Sequence, residues 1–67
     1  MLKITFEDNT EWFYYPENKA VISAFGTYLM KEAVDPVPGR YFTWEDRRGS
    51  TMTYHRKVKR VGTVGSS

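Results

Sequence analysis

Only one stretch of this chain is long enough for a substantial helix: Asn18 to Val34, NKAVISAFGTYLMKEAV. At about 100° per residue, Val21, Ile22, Phe25, Tyr28, Leu29 and Ala33 fall within roughly 140° of one another, while Lys19, Ser23, Thr27 and Lys31 lie outside that stripe. Aromatic and β-branched runs flank the segment on both sides, so the pattern predicts one helix laid across a small sheet. Gly26 works against this reading, because a glycine inside a helix costs about 1 kcal/mol relative to alanine. The rival is a hairpin, with AVISAF and TYLMKEA as strands around Gly26. Neither half alternates cleanly, and Ala, Leu, Met, Lys and Glu favour helix, so helix is the expectation.

The remaining segments read as strands. Leu2-Lys-Ile-Thr-Phe6 alternates apolar and polar, Asp8-Asn9 suits a two-residue hairpin turn, and Thr10 to Tyr15 returns. That turn would put Leu2, Ile4, Phe6, Phe13 and Tyr15 in the core, and Lys3, Thr5, Trp12 and Tyr14 on the other face. A one-residue change in the turn would exchange the faces. Pro16 ends the strand, and Asn18 is suited to cap the helix. Asp35-Pro-Val-Pro-Gly39 breaks any helix. Arg40 to Glu45 and Thr51 to Lys57 follow as a second hairpin around Asp46-Arg-Arg-Gly-Ser50. Phe42, Trp44, Met52 and Tyr54 would share its inner face.

The expected fold is therefore α+β in the order ββαββ: two antiparallel hairpins in one sheet with a single helix packed across it. It occupies residues 1–61 as one small domain, with 62–67 (GTVGSS) as a flexible C-terminal tail. With 67 residues and no cysteine, disulfides and a cysteine zinc site are excluded. Stability must then come from burying large side chains, for which the 16% aromatic content is suited. No run approaches the roughly 18 apolar residues of a membrane span, and MLKITFEDNT does not read as a secretory signal, so a cytoplasmic protein is expected.

The run F-E-D-N-T-E-W-F-Y-Y-P (Phe6–Pro16), followed by G-R-Y-F (Gly39–Phe42), resembles the KTSC domain. That resemblance implies a hairpin, a helix and a following Gly-x-aromatic strand. The two pieces are spaced further apart here, and no function is carried over from it.

Catalysis finds no motif. The single histidine, His55, lies beside Arg56 and Lys57, Ser23 and Ser50 have no evident base, and no phosphate loop or metal-ligand spacing is present. The chain reads as a non-catalytic binding module without cofactor or metal.

Charge gives the leading functional expectation. Residues 1–39 carry three lysines against six acidic residues, a net −3, and residues 40–67 carry seven cations against two, a net +5. Such a split points to an anionic partner, or to the two halves pairing with each other. The anionic reading is nucleic-acid binding through the basic C-terminal hairpin, with Arg47, Arg48, Arg56, Lys57, Lys59 and Arg60 on phosphates. The plain alternative for those residues is a solvated edge strand whose lysines prevent edge pairing. A second functional reading is a regulator or inhibitor of a protein partner, of the type encoded by phages and mobile elements. It would dock through an aromatic sheet face bearing Trp12 and Tyr14, which could equally pair two copies of the chain.

Overall fold

In the computed structural model, which describes residues 1–65, six antiparallel strands form one curled sheet. They are β1 (Leu2–Phe6), β2 (Glu11–Tyr15), β3 (Ala20–Ser23), β4 (Gly26–Leu29), β5 (Tyr41–Glu45) and β6 (Thr51–Thr63). Their order across the sheet is β4-β3-β2-β1-β6-β5. Among the described residues the only helical element is a 3-10 turn, Pro16–Asn18. The α+β expectation is overturned: the protein is an all-β, partly closed barrel.

Segment 18–34 forms the hairpin instead of the helix, for reasons that can be named. Gly26 has a φ of 130°, far from any helical value. Val21, Ile22, Thr27 and Tyr28 are β-branched or aromatic. A helix would also leave the outer edge of β2 without partners. As a strand, β3 pairs Phe13 with Ile22, Tyr14 with Val21 and Tyr15 with Ala20, and β4 then pairs Val21 with Tyr28. Ser23 holds the turn, its Oγ accepting from the Phe25 amide and donating to the Gly26 carbonyl, both at 3.0 Å. The apolar stripe predicted for a helix is split: Val21 is buried and Tyr28 half-buried, while Ile22, Phe25 and Leu29 are exposed.

The first hairpin also differs from expectation, by a single residue in its turn. The Phe6 amide donates to the Thr10 carbonyl at 2.9 Å and the Asn9 amide to the Phe6 carbonyl at 2.8 Å, which encloses three loop residues, Glu7-Asp8-Asn9. Asn9 takes the left-handed conformation, φ 69°, that this loop requires. The register becomes Ile4 opposite Trp12 and Leu2 opposite Tyr14. Trp12 and Tyr14 are thus buried with Ile4 and Phe6, and Phe13 and Tyr15 turn outward beside Lys3 and Thr5. The second hairpin repeats this geometry. Asp46 N–H donates to Ser50 O at 2.8 Å and Gly49 N–H to Asp46 O at 3.0 Å, with Gly49 at φ 93°.

Strand β6 curls the sheet. Its first half pairs with β5 and its second half with β1, and the register shifts opposite Thr5 and Phe6. This folds β5 over the concave face, so Phe42, Trp44, Tyr54 and Val58 close on Ile4, Phe6, Trp12, Tyr14 and Val21. The alternation in the second hairpin is as the sequence predicts, but its inner face covers strands rather than a helix. The two sheet ends meet at one point, where Met30 bridges Asp46 and the Lys31 amide donates to the Glu45 carbonyl at 2.9 Å. Tyr14 ties down the link between β4 and β5, its hydroxyl accepting from the Val34 amide at 3.1 Å. Burial pushes that phenol above its ordinary value of 10.0. Gly62 and Thr63, within the expected tail, belong to β6, and the Val64 amide donates to the Met1 carbonyl at 2.9 Å. Ser66 and Ser67 of that tail lie outside the described residues.

Candidate nucleic-acid interface

All six cations singled out in the sequence are exposed. They fall into two groups. Arg47 and Arg48 form the tip of the β5–β6 loop, where the Asp46 carboxylate accepts from the Arg48 and Ser50 amides, both at 2.9 Å, and fixes the turn. Arg56, Lys57, Lys59 and Arg60 lie in the middle of β6. From Thr51 to Arg60 is nine strand steps, up to roughly 30 Å of extended chain, so the two groups stand at separate places along the hairpin.

The bulge changes which cations share a face. Plain alternation would put Arg60 on the inner side with Val58. In the structure Val58 opposes Phe6 in the core, the register shifts, and Arg60 opposes Thr5 on the outer side. Lys57, opposite Tyr41, is on that outer side too, with its ammonium 5.7 Å from the Tyr41 ring centroid. Lys59 is the residue accommodated by the shift, and its Nζ donates to Asn9 Oδ1 at 3.2 Å. A bulge leaves no trace in the polar–apolar pattern beyond Val58 and Val61 being three apart, which breaks the two-residue period.

Arg56 has a different neighbourhood. Its Nε lies 3.9 Å from Asp8 Oδ2, and the same oxygen accepts from the Tyr54 hydroxyl at 3.2 Å. The remaining Asp8 oxygen accepts from the Thr10 amide at 3.0 Å. Above all that amide, then Tyr54 and Arg56, holds the carboxyl below its ordinary value of 3.8, against an opposing contribution from desolvation.

Trp12 and Tyr14, singled out as a docking face, are core residues at 2% and 0% exposure. The three-residue turn is the cause. The face open to solvent on β2–β4 instead carries Phe13 and Tyr15, missed because the register was displaced by one, and Ile22 and Leu29, missed because their segment was expected to be helical.

Where β4 and the β5–β6 hairpin diverge, an open cleft of about 130 Å³ lies between Trp12, Phe25 and Tyr28 on one side and Trp44 and Met52–His55 on the other. The Trp12 and Trp44 rings meet edge-on, 5.9 Å between centroids. Neither indole Nε1 has a hydrogen-bond partner among the described residues. His55 is exposed and its ring lies 4.5 Å from that of Tyr54. Among the described residues no group of three or more His, Cys, Asp or Glu side chains is arranged to hold a metal ion, and no helix is long and apolar enough to cross a membrane. No family model matches this chain, and neither a curated protein nor a solved structure matches it.

Proposed function

We propose that this protein is a non-catalytic module that binds nucleic acid, with Arg47, Arg48, Arg56, Lys57, Lys59 and Arg60 contacting phosphates. One observation carries the reading. Of the seven cations after residue 39, only Arg56 has a carboxylate within 4.0 Å among the described residues. The acidic N-terminal half therefore does not neutralise the basic half, and the positive field of β6 is available to an external anion. The bulge supports the reading further by turning Arg60 to the outer side, which Lys57 also occupies beside the half-exposed Tyr41 ring.

The test is the salt dependence of binding to single- and double-stranded DNA and RNA. Replacing Arg47, Arg48, Lys57 and Lys59 with Ala should weaken binding almost uniformly across base sequences. It should also lower the log–log salt slope by roughly 0.7–0.9 for each phosphate that is no longer neutralised. Absence of binding by the wild type at low salt would overturn the proposal.

A second reading is favoured by the outer face of β2–β4. Ile22 and Leu29, 41% and 43% exposed, lie there with Phe13 and Tyr15 and suit a protein partner or a second copy of the chain. Binding through that face would depend far less on ionic strength than phosphate binding does.

A further inference from the structure

We infer that this protein pairs with a second copy of itself through the open edge of β4, joining two sheets edge to edge in an antiparallel, two-fold arrangement. The inference deepens the second reading above, by naming the partner and the backbone groups that meet it, and it is independent of nucleic-acid binding.

Strand β4 ends the sheet, with β3 as its one neighbour. The register shows which of its backbone groups are left open. The Met30 amide donates to the Lys19 carbonyl at 2.7 Å, and in an antiparallel ladder the hydrogen-bonded pairs recur at every second residue. Tyr28 and Gly26 therefore bond inward to Val21 and Ser23, while Thr27 and Leu29 turn their amides to the free edge. Lys31 is next in that outward series, and its amide donates across to the Glu45 carbonyl at 2.9 Å. Toward the hairpin tip β5 gives way to its loop, and neither the Thr27 nor the Leu29 amide meets a backbone acceptor among the described residues.

Open edges are ordinarily guarded by charge or proline. This one is not. Ala20 to Met30 is the longest run in the chain without a charged residue or proline, and it spans β3, the turn and β4. Exposed Ile22, Phe25 and Leu29 all lie in it. Strand β5, at the other end of the sheet, is bracketed by Arg40, Glu45 and Asp46. Charge then selects the occupant. Lys19, Lys31 and Glu32 sit at the base of the β3–β4 hairpin, where Lys19 and Glu32 pair at 3.8 Å, and the arginine loop follows the Met30–Asp46 bridge at that same end. Antiparallel pairing of β4 with itself sets the base of each hairpin against the uncharged tip of the other. The two sets of charges stay apart, and the free amides of each edge face carbonyls of an identical edge. A β5 edge in that place would instead bring its flanking charges against a strand with none to answer them.

The test is the mass of the nucleic-acid-free protein by sedimentation, from about 10 μM to about 1 mM, with amide hydrogen exchange over the same range. The wild type should pass from one chain to two, and the Thr27 and Leu29 amides should become protected as it does. Thr27→Pro removes one outward amide and leaves the bonds to β3 in place, a position where an edge strand tolerates proline. It should remain monomeric with the circular dichroism of the wild type. Should that variant fail to fold, Thr27→Lys, which puts a charge on the edge without altering the backbone, is expected to be monomeric in its place. A wild type that stays monomeric throughout would overturn the pairing and leave the outer face to a different protein. A dimer whose Thr27 and Leu29 amides stay unprotected, or one that a folded Thr27 variant retains, would overturn the β4 edge and move the self-contact to the outer face. Growth beyond two chains would overturn the two-fold arrangement.

Discussion

Trp12 meets Trp44 edge-on, with ring centroids 5.9 Å apart and planes at 81°, and so joins the second strand of the chain to the fifth. These strands lie far apart in the sheet order, so the two rings meet only because β6 curls the sheet back on itself. Trp12 also packs on Phe6, Phe42 and Tyr54. It is the point where both halves of the barrel converge.

Truncating either indole should therefore act on stability. Trp12→Ala and Trp44→Ala are each expected to cost about 3–5 kcal/mol, the range for a large aromatic removed from a core. Because the rings touch, the double variant should differ from the sum by about 0.5–1.5 kcal/mol, the usual coupling of an aromatic pair. Urea unfolding of the four proteins measures this. A loss below about 1 kcal/mol for Trp12→Ala would mean that Trp12 is a surface residue and that the hairpin has the two-residue turn.

That alternative shows where the sequence was legible and where it was not. Strands at both ends of the chain, and the inward set Phe42, Trp44 and Tyr54, follow from alternation alone. In the first hairpin alternation is ambiguous, since Trp12 and Tyr14 are as apolar as Phe13 and Tyr15, and only the turn decides which pair goes inside. Asp8-Asn9 fits a two-residue loop, but Asn9 serves equally as the left-handed third residue, as Gly49 does in Arg47-Arg48-Gly49. Segment 18–34 carried good helix formers in its second half, yet the unpaired edge of β2 is a tertiary demand that no local propensity records. The basic residues were legible as a cluster. The bulge that turns Arg60 outward was not.

Neighbouring residues Leu29 and Met30 separate the hairpin from the helix. On a helix Leu29 belongs to the buried stripe and Met30 does not. In the structure Met30 is fully buried and Leu29 is 43% exposed. Met30→Ala should cost about 2–5 kcal/mol, whereas Leu29→Thr should stay within about 0.5 kcal/mol of wild type. Chemical denaturation reads both values, and the opposite ranking would restore the helix. Far-UV circular dichroism of the wild type should show a β spectrum.

Asp8 makes the protein sensitive to acid in a defined direction. Its carboxylate accepts from the Thr10 amide and from the Tyr54 hydroxyl, and lies near the Arg56 guanidinium. These partners lower its pKa in the folded state below 3.8. In the window at and below that value the unfolded chain binds the proton more readily, so stability rises with pH there. The contribution is present above the unfolded pKa and is lost as pH falls through the folded one. Asp8→Asn can still accept from Thr10 but carries no charge and does not titrate. The variant should therefore be less stable than wild type near neutral pH, and the difference should shrink as pH drops below about 4. Urea unfolding at a series of pH values measures that difference. If it stays constant from neutral pH down to about pH 2, the Asp8 carboxylate is not held in its charged form by Thr10, Tyr54 and Arg56.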